Sequence, residues 1–424
     1  MLHTIKSLLW GMPTVCAVIG FGVYFTFKSR AYNIRGIKEI FRSSFRELKV
    51  KSPGISAFSA ISTSLGGTIG IGSITGAAFS LAVGGPGSIF WMWVTGFFGC
   101  MLKYAETSTA LRYRVRDGDI CSGGAMYALK KSGKPFLGKA FAFCLLASSF
   151  GTGNMTQSSA VRASLGEIGL SGYVTGALLS ALFLFAVSGG RKKIASFSEK
   201  TVPFSSAVYL IIIIALILPR ITLLPSVLCT IIRSAFGLRQ FGGGAMGYTV
   251  SAAMKTGVTR CVFSSEMGMG TSAIAHSSNE TASPHSQGSW AIIEMMTDIF
   301  VFSTLTALAL LLYGEKSVEG LFYSSFGKAG SVTLGLLLFM FGFASIISWC
   351  FYAESCMSYL GFSKAKHLLY IALSALCVFL GCVTDSAKIW DIADILNFFM
   401  MIPNLYLLFI KRKEICLCFG KTKR

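Results

Sequence analysis

Charge is scarce in this chain. Only 13% of its 424 residues are Asp, Glu, Lys or Arg, against 53% hydrophobic, and a soluble domain of ordinary composition carries about a quarter charged residues. Histidine occurs four times, at His3, His276, His285 and His367, too scattered for the His-Glu-x-x-His of a zinc protease. The absence of a Gly-x-x-x-x-Gly-Lys-Ser/Thr loop excludes ATP-driven transport by this chain alone. A Gly-x-Ser-x-Gly elbow would need a strand–turn–helix context, which long apolar runs do not offer. The 12 cysteines lack metal-like or disulfide-like spacing, and Cys144, Cys261, Cys350 and Cys377 fall inside apolar runs, as buried thiols do.

What is present is a series of apolar runs. About 20 residues at ~1.5 Å rise cross a hydrocarbon core of ~30 Å, and eleven such spans are expected, at 7–27, 54–83, 88–111, 137–161, 170–188, 201–219, 246–276, 288–313, 330–360, 367–384 and 389–410. The formal net charge of +20 does not point to nucleic acid, because the basic residues collect in alternate loops, the mark of cytoplasmic segments. They are Lys28, Arg30, Arg35, Lys38, Arg42, Arg46, Lys49 and Lys51 after the first span, Arg112, Arg114, Arg116, Lys130, Lys131 and Lys134 after the third, and Arg191, Lys192 and Lys193 after the fifth. Lys364, Lys366 and the tail residues Lys411, Arg412, Lys413, Lys421, Lys423 and Arg424 continue the pattern. The N-terminus is therefore expected outside and the C-terminus in the cytoplasm of a multi-pass cell (inner) membrane protein. Two places depart from it: 277–287 has no Lys or Arg, and the external loop carries Arg220, Arg233 and Arg239. That loop also holds LLPSVLCTIIRSAFGL, an expected interfacial amphipathic helix. No small-residue cleavage site follows the first span, so it reads as a retained helix.

One apolar run is unusual. In GGTIGIGSITGAAFSLAVGGPG, Gly66 to Gly87, eight of 22 residues are glycine, and irregular backbone in a membrane is tolerated only where protein or a polar cavity surrounds it. Small residues also let membrane helices pack closely, but Gly66, Gly67, Gly70, Gly72 and Gly76 with Thr68, Ser73 and Thr75 exceed one packing face. A broken helix is expected there. A second is expected in CVFSSEMGMGTSAIAHSS, where Ser264, Ser265, Glu266, Gly268, Gly270, Thr271 and Ser272 interrupt span seven. The two lie first in blocks of five spans, 2–6 and 7–11, that enter the membrane from opposite sides. Paired broken helices in inverted halves point to a secondary transporter with its site at the midplane.

At these residues the sequence resembles the sodium:alanine (alanine or glycine:cation) symporter family. The resemblance rests on GGPGSIFWMWVTGFFGCMLKYAET, GNMTQSS, FSSEMGMGTSAIAHSS, FGFASIISWCFYAESCMSYL and WDIADILNFFMMIPNL, in that order along nearly the whole chain. It implies an all-α integral membrane fold of about 11 helices, a leucine-transporter-like 5+5 inverted repeat preceded by one extra helix, carrying small neutral amino acids, alanine or glycine and D-alanine among them, with sodium. The implied organisation is 1–53 extra helix and basic loop, 54–219 first repeat, 220–245 external loop, 246–410 second repeat and 411–424 basic tail. Where the family has Gly-Thr-Gly-Asn in the first break this chain has GIGS, so Ile71 and Ser73 replace a hydroxyl and an amide. Ser265 replaces an Asn and Ala344 a Ser. These changes remove or shorten oxygen-bearing side chains, which leaves room for a proton-coupled permease.

The expected substrate residues are Thr68, Gly70, Gly72, Ser73, Asn154, Gln157, Ser265, Gly268, Gly270 and Trp349. The expected sodium ligands are Gly67, Gly70, Ser345 and Ser348. Asn154 and Gln157 are three apart on one helical face. Phe351 and Tyr352 either wall the pocket or anchor the helix. Glu266, Glu294 and Asp298 are costly in a bilayer, hence functional or paired; Glu294 and Asp298 share a face, with Lys255 or Arg260 as possible neutralising partners. Lys103 and Glu106 read as an i, i+3 ion pair, and Asp391, Asp394 and Asn397 as complements to a helix dipole. The partners expected are a small neutral amino acid and the lipid bilayer, with no nucleic acid and no obligatory protein. A channel or a polytopic membrane enzyme is the less favoured reading.

Overall fold

The computed structural model describes residues 9–48, 50, 54–117, 120–237, 250–384 and 387–420. Of the basic pattern, Lys49, Lys51, Arg239, Lys421, Lys423 and Arg424 lie outside the described residues, as does His3. The chain starts with α1 (Met12–Lys28), α2 (Tyr32–Arg35) and α3 (Ile37–Glu47). An interrupted helix follows, α4 (Ala57–Thr68) then α5 (Ile71–Gly84), and after it α6 (Gly87–Arg112). A hairpin of β1 (Val115–Asp117) and β2 (Ile120–Ser122), with Arg116 opposite Cys121, is the one departure from helix among the described elements. Next come α7 (Ala125–Lys131), α8 (Pro135–Ser148), a π-helical turn (Ser149–Met155) and α9 (Thr156–Gly166). The first half closes with α10 (Gly172–Val187), α11 (Gly190–Ile217) and α12 (Leu224–Ala235).

The second half begins with another interrupted helix, α13 (Val250–Ser265) and α14 (Ser272–His276). Then α15 (Pro284–Met296) passes through a second π-helical turn (Thr297–Ser303) into α16 (Thr304–Tyr313), followed by α17 (Val318–Leu360), α18 (Lys364–Val383) and α19 (Ala387–Gly420). Local chemistry sets many of these boundaries. The hydroxyls of Ser56, Ser171, Ser283 and Ser317 cap α4, α10, α15 and α17, and Pro135 and Pro284 sit in first turns, where the missing N–H costs nothing. Gly314 and Gly361 end α16 and α17 in left-handed conformation.

Among the described residues, seven helices are long and apolar enough to cross a membrane, including Ala57–Gly84, counted across its break, and Val318–Leu360; Pro13–Lys28 and Gly172–Val187 are shorter apolar helices. Large apolar side chains face outward, such as Phe204 and Ile211 on α11 and Leu368 and Leu376 on α18, which suits lipid rather than water. The chain is thus a multi-pass, all-helical membrane protein. At the centre, α6 packs against α1, α13 and α15. The two interrupted helices lie together, α5 on α13 and α4 on α14, so they run antiparallel. α12 lies along α6, where Trp91 Nε1 donates to Ala235 O at 3.4 Å. Cys261 and Cys350 are buried free thiols.

Candidate functional site

The first interruption is shorter than the glycine run suggests. The chain leaves helix only at Ile69 (φ −84°, ψ 90°) and Gly70 (φ −141°, ψ −154°), while Gly72 and Gly76 are helical residues of α5. Ser73 Oγ donates back to Thr68 O at 3.0 Å, satisfying a carbonyl freed at the end of α4. The N-terminus of α5 has no side-chain cap; Ser73 N–H donates to Gly70 O at 3.3 Å, and the N–H groups before it are left for another acceptor. The second interruption runs from Glu266 to Thr271. Glu266 (φ 53°), Gly268 (φ 84°) and Gly270 (φ 73°) are all left-handed, and a glutamate held there is a strained residue of the kind that collects at functional sites. Thr271 Oγ1 donates to Glu266 Oε2 at 2.6 Å.

Between the interruptions is a pocket of about 40 Å³. Gly67, Thr68, Gly70, Glu266, Ser345 and Trp349 line it. It adjoins a vestibule of about 420 Å³, and Gly72, Thr152, Gln157, Phe263, Ser264 and Asn397 line both. Further out the vestibule is walled by Phe79, Arg260, Asp391 and Asp394, with the Arg260 guanidinium 3.6 Å from the Phe79 ring. Asp391, Asp394 and Asn397 therefore do more than complement a dipole: they stand at the way in.

Of the expected substrate residues, Thr68, Gly70, Gly72, Gln157 and Trp349 are brought together here, and Ser73, Asn154, Ser265, Gly268 and Gly270 are not. Asn154 and Gln157 do not share a face, because Asn154 lies in the π-helical turn, whose i→i+5 bonding shifts the register. Gln157 instead stands over Thr152, donating from Nε2 to its carbonyl at 3.3 Å. Ser265 Oγ turns into its own helix, to Cys261 O at 2.6 Å, and Ser264 faces the pocket in its place. Gly268 and Gly270 shape the turn: a Cβ on Gly270 would sit 2.7 Å from Asn404 Oδ1. Of the aromatic candidates only Trp349 reaches the pocket; Phe351 is buried elsewhere.

Four buried acids, Glu106, Glu266, Glu294 and Asp298, differ in their partners. Glu294 is fully engaged: Lys103 Nζ lies 2.6 Å from its Oε1, and His276 Nε2 and Ser64 Oγ lie 2.9 and 2.7 Å from its Oε2. Lys103 therefore pairs across to α15 rather than with Glu106 on its own helix. Asp298 accepts from Ser264 Oγ at 2.9 Å and, among the described residues, has no cation at bonding distance. Neither Lys255, which is exposed, nor Arg260 neutralises these acids. Glu106 is held by Asn404 Nδ2 at 2.6 Å, which also donates to Gly268 O at 2.8 Å. Of the three acids singled out from sequence, only Glu266 lines the pocket.

On the other flank, α17 presses on the glycines of α4. Ser345 Oγ donates to Gly66 O at 2.8 Å, and a Cβ on Gly66 would come within 2.7 Å of Ser348 Oγ and 3.3 Å of Ala344 O. Ser348 Oγ and Tyr352 Oη, the latter beside Gly67, have no hydrogen-bond partner among the described residues. Those residues include no cluster of three His, Cys, Asp or Glu side chains, so a cation here would be held by neutral oxygens, chiefly Gly66 O, Ser345 Oγ and Ser348 Oγ, chemistry that fits a small hard ion. Thr152 and Phe263 were not singled out in the sequence, Gly66 and Ser264 were read only as parts of the interruptions, and Asn397 only as a complement to a helix dipole. The only signal for Asn397 was its place in WDIADILNFFMMIPNL.

Three relatives match most of this length. A transporter from Haemophilus influenzae is 35% identical over 98% of this chain and 94% of its own. The probable sodium/glutamine symporter GlnT of Bacillus subtilis is 34% identical over 97% and 87%, and the sodium/alanine symporter AgcS of Methanococcus maripaludis 33% over 96% and 93%. The sodium:alanine symporter family matches residues 1–418. With two antiparallel interrupted helices closing on a polar pocket, the chain belongs to the sodium:alanine symporter family.

Proposed function

We propose that this sodium/amino-acid symporter carries a small neutral amino acid, alanine or glycine, together with sodium by alternating access. The observation that carries the reading is the 40 Å³ pocket between the two helix interruptions. The uncapped N-terminus of α5 at Gly70 offers N–H groups and a positive helix end to the substrate carboxylate. Gln157 and Trp349 complete its walls. Sodium is assigned to Gly66 O, Ser345 and Ser348 beside it, with Gly67 and Gly70 giving α17 room to approach.

The packing supports a 5+5 inverted repeat of eleven crossings with α1 as the extra helix. Elements of the same rank in the two blocks pair: α6 with α15, α9 with α17 and α10 with α18. The contact of α11 with α17 is mirrored by that of α19 with α8. With the basic loops cytoplasmic, the N-terminus is outside, the C-terminus inside, and the vestibule opens outward. No residue is assigned to catalysis.

Purified protein in liposomes tests the ion and the substrate together. Uptake of labelled alanine at fixed pH is expected to rise with sodium. Ser345→Ala should raise the sodium concentration for half-maximal uptake severalfold, since one of few oxygen ligands is lost. Because leucine brings a bulky apolar side chain to a small polar pocket, and each methylene is worth about 1–3 kcal/mol of discrimination, unlabelled alanine should compete at least about tenfold better than leucine, and efficient leucine uptake without alanine would reject the substrate. Glu266 in the pocket wall favours a second reading, proton coupling. Uptake indifferent to sodium, driven by a pH gradient and uncoupled by Glu266→Gln would establish it. Saturation and counterflow of labelled substrate separate a carrier from a channel.

A further inference from the structure

Asn397 is buried to 1% exposure, yet neither its Oδ1 nor its Nδ2 has a hydrogen-bond partner among the described residues. It lines both the pocket and the vestibule. Two more unpartnered atoms stand on the same seam, Thr152 Oγ1 and Gln157 Oε1. Buried polar groups in folded proteins are nearly always bonded, and those that are not call for an explanation. The neighbouring Asn404 shows the ordinary case, with its amide spent on Glu106 and Gly268.

We infer that Asn397 reads the side chain of the transported amino acid, and that the substrate class extends beyond alanine and glycine to neutral amino acids whose side chain ends in a hydroxyl or a carboxamide. This rests on the amino-acid reading above. The groups suited to the charged ends of the substrate, at Gly70 and Glu266, line the pocket alone. Held by those ends, the substrate directs its side chain to the opposite wall, where Asn397, Thr152 and Gln157 meet the vestibule. An amide both donates and accepts, as do a hydroxyl and a carboxamide, so either satisfies Asn397, and an apolar side chain leaves it bare. A carboxamide on a longer stem has the 420 Å³ vestibule to enter.

The experiment compares L-serine and L-glutamine with 2-aminobutyrate, which carries a methyl where serine has its hydroxyl. Each competes against sodium-driven uptake of labelled alanine in liposomes, and each is titrated calorimetrically onto the detergent-solubilised full chain. In the wild type, serine and glutamine are expected to act at about tenfold lower concentration than 2-aminobutyrate, the effect of one net hydrogen bond. Asn397→Leu, which keeps the branched shape and removes both polar atoms, should bring that ratio close to one, read against alanine and 2-aminobutyrate in the same variant. Asn397→Ser, which keeps a shorter polar group, should give an intermediate ratio and serves if the leucine variant does not fold. A wild type without preference for serine, or a ratio unchanged in the variants, overturns the inference. Absence of alanine uptake with serine still binding through Asn397 would reject the alanine reading alone, and absence of binding by serine and glutamine rejects the role of Asn397.

Discussion

Gly270→Leu is expected to abolish transport, to below about 1% of wild-type uptake, while the protein still inserts in the membrane and purifies as a folded species. Gly270 is left-handed at φ 73°, where an L side chain costs roughly 1–2 kcal/mol from backbone alone. Its Cβ would also sit 2.7 Å from Asn404 Oδ1. Asn404 is the residue that ties Glu106 to the carbonyl of Gly268, so the intrusion displaces the whole turn that carries Glu266 into the pocket. Gly72 is the internal control. It is helical, and its Cβ would meet nothing closer than Ser264 Cα at 3.8 Å, so Gly72→Ala should retain substantial uptake. Normal transport by Gly270→Leu would show that the second interruption has no part in the site.

Lys103→Met is expected to be the most destabilising single exchange in the core. Lys103 and Glu294 are 0% and 1% exposed and 2.6 Å apart, and removing one member of such a pair leaves a buried charge, at a cost of about 3–5 kcal/mol. The neutral pair Lys103→Met with Glu294→Gln should recover a large part of the loss, since the uncompensated charge is then gone and the amide still meets Ser64 and His276. Thermal unfolding of the detergent-purified protein, wild type against both variants, reads this directly. An unfolding midpoint for Lys103→Met equal to wild type would mean that Glu294 takes its charge compensation from His276 alone.

Much of the site was legible because breaking a helix needs particular residues. Glycine and hydroxyl runs inside apolar stretches announced both interruptions, and Thr68, Gly70, Gln157, Glu266, Ser345 and Trp349 were all named from sequence and converge on one pocket. What was not legible depends on register and reach. A π-helical turn has no strong sequence mark, so Asn154 was placed on the face that Thr152 in fact occupies. Lys103 has a carboxylate three residues along its own helix, and only the packing of α6 on α15 shows why it takes Glu294 instead. Asn397 looked like an ordinary polar residue in the opening turns of a helix, and nothing in one chain reveals that it lines the pocket with no hydrogen-bond partner among the described residues.

The carboxylate of Glu294 has a mechanical meaning apart from charge. Its Oε2 receives Ser64 from α4 and His276 from α14, the two half-helices remote from the vestibule, while its Oε1 holds Lys103 of α6. One carboxylate thus ties α4 near its broken end and α14 at its far end to each other and to α6. Those ends cannot swing apart without breaking two hydrogen bonds at once in a dry interior. A movement that carries α4 and α14 together leaves these bonds intact, whereas one that separates them must break them.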